Sequence, residues 1–196
     1  MSPRTLLPLW AAIFSSVLAS PLAMAADAPA TTAPAAAAAT PSAKVELFNG
    51  KDLTGWTSFL KGGTPAAETL SVKDGLLACT CIFNGFLRTE KSYKQYKFTV
   101  EWRFTKPGNT GVVVHMTAPD AIWPKSIECQ GMNKNQGDFY FWSGATSKEG
   151  VAMKAKDGTI RGYRIGKQLD AEKPAGEWNT FTTICDKDTV TILVNG

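Results

Sequence analysis

The stretch Tyr96-Lys97-Phe98-Thr99-Val100-Glu101-Trp102-Arg103-Phe104 alternates apolar and polar residues without a break. Successive side chains of a strand point to opposite faces, so Tyr96, Phe98, Val100, Trp102 and Phe104 share a core side, and Lys97, Thr99, Glu101 and Arg103 share a solvated one. One buried face and one wet face mark an antiparallel sheet packed on a single side. Working outward, Gly111 to Met116 and Ser126 to Gln130 read as strands, and so do Phe139 to Trp142, Gly162 to Ile165, Trp178 to Cys185 and Val190 to Val194. Upstream, Val45 to Phe48 reads as a first strand and Phe86 to Thr89 as another. Leu70 to Val72 and Leu76 to Ile82 read as a hairpin whose Asp74-Gly75 supplies the positive φ of a tight turn. Ser143 to Gly158 reads as loop with room for a short helix. No long segment has a helical period, so the chain is all-β and antiparallel.

The same alternation nominates a functional face. Glu101 and Arg103 lie on the wet side of their strand, His115 points away from Val114 and Met116, and Ser126, Glu128 and Gln130 point away from Ile127 and Cys129. If these strands are neighbours, one wet face collects Arg103, His115, Glu128 and Gln130. Trp102 and Trp178 sit in strand patterns and are expected in the core. Trp123 and Trp142 sit in or beside loops, where an aromatic face can stay open for stacking on a ligand. As a plain alternative, these charges are exposed ion pairs worth little individually.

The N-terminus has a separate character. Arg4 precedes the apolar run from Leu6 through Phe14 to Leu18, and Ala23-Met24-Ala25 offers the small-x-small pattern of a cleavage site. Residues 1–25 are therefore expected to be a signal peptide, which makes the mature protein periplasmic or secreted and leaves it without a membrane anchor. Residues 26–43, almost all Ala, Thr and Pro, are expected to form a disordered linker, and residues 44–196 one domain. The chain has 21 Lys and Arg against 17 Asp and Glu, a net charge of +4. Arg4 and Asp27 are the charged residues before Lys44, so the domain keeps that net charge, scattered rather than in runs. Nucleic acid is not an expected partner. Cys79, Cys81, Cys129 and Cys185 in an exported chain allow one or two disulfides with unassigned pairing, although a bond between Cys79 and Cys81, side by side on one strand, is expected to be strained. No Cys or His spacing suggests zinc.

Leu47-Phe48-Asn49-Gly50-Lys51-Asp52-Leu53-Thr54-Gly55-Trp56 resembles the opening of the 3-keto-disaccharide hydrolase family. Val72-Lys73-Asp74-Gly75-Leu76, Gly85-Phe86-Leu87-Arg88-Thr89, Tyr93 with Phe98, Glu101-Trp102-Arg103, Asn109-Thr110-Gly111-Val112, Glu128-Cys129-Gln130, Gly176-Glu177-Trp178-Asn179 and Val194-Asn195-Gly196 are similar to later family motifs, in the family's order. The resemblance covers nearly all of residues 45 to 196. It implies a concanavalin-like jelly-roll β-sandwich and hydrolysis of glycosides whose C3 hydroxyl has been oxidised to a ketone. Thr110 and His115 depart from the family's usual Ser and Arg. Asn195-Gly196 after an alternating strand predicts a returning strand, so a last C-terminal strand is expected to be lacking from this sequence.

A ketone at C3 acidifies the C2–H, so the C1 substituent can leave by elimination and water can then add. That route needs a base, a donor to the enolate oxygen and an acid for the leaving oxygen. Glu128 is read as the base, His115 as a proton shuttle and Arg103 as the enolate partner. Gln130, Glu101, Asn109, Trp123 and Trp142 are read as substrate-binding. No cofactor is expected, although Asp138 with Glu128 could hold a divalent cation such as calcium. A non-catalytic carbohydrate-binding module is the alternative, since fold does not fix function. A retaining glucanase, which needs two carboxylates about 5 to 5.5 Å apart, is disfavoured, because Gln130 and Met132 follow Glu128 where a second acid would be needed. A purely structural surface protein is the residual reading.

Overall fold

The structure, a computed structural model, describes residues 44–196; the predicted signal peptide and linker lie outside the described residues. Twelve strands follow in order: β1 Trp56–Leu60, β2 Leu70–Lys73, β3 Leu76–Cys79, β4 Gly85–Thr89, β5 Tyr96–Trp102, β6 Gly111–Val114, β7 Ser126–Gln130, β8 Phe139–Trp142, β9 Val151–Lys154, β10 Ile160–Ile165, β11 Asn179–Asp186 and β12 Thr189–Val194. Two single-turn 3-10 segments, Lys61–Gly63 and Ala66–Glu68, accompany them. Among the described residues no helix is long and apolar enough to cross a membrane.

The pairing yields a five-stranded sheet in the order β6-β7-β8-β10-β9, a three-stranded sheet β12-β11-β5, and the two-stranded pairs β1-β4 and β2-β3. Val112 and Val114 of β6, Ile127 and Cys129 of β7 and Phe139 of β8 meet Tyr96, Val100 and Trp102 of β5, Phe181 and Cys185 of β11, and Val190, Ile192 and Val194 of β12. The core therefore lies between the two larger sheets; the all-β architecture is the one the alternation predicts, and the jelly-roll sandwich is the one the family resemblance implies. Trp102 stacks on Phe181 with centroids 4.7 Å apart. At full burial, side chains of this size each contribute about 1.5–3 kcal/mol.

Four local readings change. Val45 to Phe48 is not a strand: Trp56 Nε1 donates to the carbonyl of Leu47 at 2.8 Å, and Asn49 Oδ1 accepts the N–H groups of Lys51 and Asp52, so side chains rather than a ladder satisfy this segment. Within Ser143 to Gly158 there is no helix but β9, which pairs with β10 at the sheet edge. The strand expected to run to Met116 stops at Val114, because His115 takes φ 52° and leaves the extended conformation. All four cysteines are free thiols, with Cys129 and Cys185 buried in the core. The Asp74-Gly75 turn is as expected, with φ 52° and 75° at its two central residues.

Candidate active site

Inward placement of Ile127 and Cys129 sends Ser126, Glu128 and Gln130 to the other side of the five-stranded sheet, away from the core. Register then aligns one file across that face. Val113 and Tyr140 flank Glu128, Arg164 lies across from Tyr140, and Val151 lies across from Arg164.

Glu128 is the buried carboxylate of this file. It is only 7% exposed, and Trp142 Nε1 donates to its Oε2 at 2.7 Å. Burial pushes its carboxyl above the usual glutamate range, and the Trp142 hydrogen bond opposes that rise. Space for the carboxylate comes from Gly111, where a Cβ would lie 2.8 Å from Glu128 Oε1. The surroundings are aromatic. Tyr140 stacks on Trp142 with centroids 5.7 Å apart, and Trp123, 53% exposed, tilts at 43° over Trp142 at 5.3 Å. Ser143 Oγ donates to the Trp123 carbonyl at 2.6 Å and pins that loop to the end of β8. Arg164 lies 5.8 Å over the Tyr140 ring, and its Nε and terminal nitrogen donate to Asp138 Oδ2 at 3.0 and 2.6 Å. The backbone N–H of Lys167 fills Asp138 Oδ1 at 2.8 Å. Asp138 is thus tied to β10 and the segment after it by three hydrogen bonds. Among the described residues no group of three or more His, Cys, Asp and Glu side chains gathers as a metal site.

The structure brings Glu128, Trp142 and Trp123 together. Gln130 shares their strand and face, but its Oε1 accepts the Met132 N–H at 2.9 Å and so also organises the loop after β7. Asn109 is exposed between Gly108 and Thr110, whose carbonyls accept from Asn133 and Gly131 of that same loop. His115 is exposed one residue past β6. It lies two residues, roughly 7 Å along a strand, from Val113, which faces Glu128.

Arg103 and Glu101 are corrected. Their segment pairs with β11, not β6, so they sit on the outer side of the three-stranded sheet, with the core between them and Glu128. Arg103 lies 5.1 Å over Trp178, and Glu101 Oε1 accepts from Thr180 Oγ1 at 3.1 Å. Trp178, expected in the core, is 38% exposed beneath Arg103, because it precedes β11 on the outward phase. Sequence reasoning missed Tyr140, Arg164 and Gly111. The signal for the first was the alternation of Tyr140 with Trp142; Phe139 and Phe141 hid it by making both faces of β8 look apolar.

A β-sandwich therefore carries a buried carboxylate set among aromatic rings on the solvent side of its larger sheet. The family model of the 3-keto-alpha-glucoside-1,2-lyase-like domain matches residues 43–196, and the chain belongs to that family. Its fold is similar to two crystal structures of inferred glycosyl hydrolases from Parabacteroides distasonis ATCC 8503. One is 21% identical with a TM-score of 0.53, covering 76% of this chain and 67% of that one. The other is 24% identical with a TM-score of 0.51, covering 76% and 66%. This chain therefore spans about two thirds of the length of each. No curated protein matches it.

Proposed function

We propose that this protein cleaves 3-keto-glycosides or 3-keto-disaccharides by elimination and hydration, with Glu128 as the base. The observation that carries this reading is the desolvated Glu128 carboxylate, held by one indole N–H beside stacked aromatic rings. A carboxylate raised by burial is a stronger base than one in water and is better matched to removing a carbon-bound proton near neutral pH.

In this route Glu128 takes the C2 proton and the C2 electron pair forms an enolate with the C3 carbonyl. Collapse of the enolate forms the C1=C2 bond and expels the C1 oxygen, which gains a proton. Water then adds at C1 and a proton returns to C2, giving the free 3-keto sugar. Trp142, Trp123 and Tyr140 stack on the sugar ring, with Gln130 and Asn109 contacting hydroxyls at its edge. His115 carries the proton to the leaving oxygen. Arg164, roughly 10 Å from Glu128 by strand spacing, is the cation of this face and replaces Arg103 as partner of the ketone oxygen. With residues 1–25 as an export signal and 26–43 as a tether, the domain works in the periplasm or outside the cell.

The test is release of the 3-keto sugar from a 3-keto-glycoside by the purified protein. Glu128→Gln keeps the shape and is expected to lower turnover by about 10²–10⁴-fold. A wild-type protein that binds the sugar without turning it over would identify a carbohydrate-binding module instead, a reading that the exposed Trp123 over Trp142 favours.

A further inference from the structure

The hairpin β2–β3 carries chemistry that the sugar route does not use. Cys79 ends β3, and Cys81 follows after one residue with φ 53°, which turns its side chain out of strand alternation. The two sulfurs come within 2.6 Å, inside van der Waals contact. The Cys81 backbone N–H donates to Cys79 Sγ at 3.0 Å, and Thr69 Oγ1 lies 3.8 Å from it. Both cysteines are exposed, whereas Cys129 and Cys185 are buried.

We propose that Cys79 and Cys81 are a redox-active thiol pair that closes to an intrachain disulfide by exchange with a small-molecule disulfide such as oxidised glutathione. Cys79, whose Sγ accepts the Cys81 N–H, reacts first. Its thiolate attacks one sulfur of oxidised glutathione, whose S–S bond breaks and releases one glutathione thiolate. Cys81 then attacks Cys79 Sγ, breaks the mixed disulfide and releases the second glutathione. The protein loses two thiol protons and two electrons, and two glutathiones leave as thiols. The positive φ at Cys81 brings the sulfurs together off the strand, which removes the obstacle that two same-facing residues on one strand present. Both residues lie at the surface, where labile disulfides are found, although burial of the Cys81 thiol pushes it up to about 12 and makes its attack the slower step.

The experiment treats the full-length protein with oxidised glutathione, alkylates the remaining thiols after denaturation, and maps each cysteine by mass spectrometry. Cys79 and Cys81 are expected to disappear together from the alkylated pool, in a peptide lighter by two hydrogens that dithiothreitol restores. Cys129 and Cys185 should remain alkylated. In Cys81→Ser the resolving thiol is gone, and the Cys79–glutathione adduct should accumulate on the order of ten-fold above wild type. Equal adduct in wild type and Cys81→Ser, independent oxidation of the two thiols, or cross-linking between chains would each overturn the proposal.

Discussion

The indole Nε1 of Trp142 donates to Oε2 of Glu128 at 2.7 Å, and this hydrogen bond opposes burial in setting the proton affinity of the carboxylate. Trp142→Phe keeps an aromatic ring and removes the donor. Glu128 then holds its proton to higher pH, and a base must be deprotonated to act. The acidic limb of the pH–rate profile is therefore expected to move to higher pH, because the hydrogen bond that favours the charged carboxylate is gone. A profile that stays in place would separate Glu128 from the rate-limiting proton transfer.

Glu128 also links stability to pH. Its folded-state pKa is raised, so its contribution is fully present below the unfolded pKa and is lost as pH rises through the folded one. Glu128→Gln is neutral throughout and escapes that loss. Its Tm relative to wild type is expected to rise as pH climbs from the ordinary glutamate range through the raised folded-state value, as measured by thermal unfolding at matched ionic strength. A difference that does not change with pH would contradict the desolvation of this carboxylate.

Arg103 decides between the face expected from alternation and the face the strands build. It lies 5.1 Å over Trp178 on the three-stranded sheet, across the core from Glu128. Arg103→Ala is expected to cost about 0.5–1 kcal/mol in stability from the lost cation–π contact and to leave turnover of the 3-keto-glycoside unchanged. A large fall in kcat would restore Arg103 to the site.

These outcomes trace what was legible in the chain. Period-two alternation reports which residues of a strand share a face, and it placed Val100 and Trp102 in the core and Glu128 opposite Cys129. It says nothing about which strand lies beside which. Local pattern carried no trace that β5 pairs with β11 rather than β6, so Arg103 and Glu101 were grouped with the wrong sheet. The edge strand β9 escaped because Val151 is 70% exposed and its short run shows no buried face. The ion pair of Asp138 with Arg164 joins residues far apart in sequence and became visible only once β8 and β10 were paired.

Gly111 tests whether the place of the Glu128 carboxylate is set by the neighbouring backbone. A Cβ at residue 111 would meet Glu128 Oε1 at 2.8 Å, its Cγ at 3.0 Å and the Cys129 carbonyl at 3.1 Å. Gly111 is locked in register opposite Gln130, so the side chain of Glu128 must yield. Swinging the carboxylate away strains its hydrogen bond to Trp142. Gly111→Ala is therefore expected to destabilise the fold by about 1–3 kcal/mol through overpacking and to lower kcat under conditions where the protein remains folded. Because Gly111→Ala and Trp142→Phe disturb one contact, the double variant should lose less activity than the two single losses combined, with a coupling of about 0.5–3 kcal/mol. Additive losses would mean that the Glu128–Trp142 hydrogen bond survives the added methyl group and that Gly111 serves packing alone.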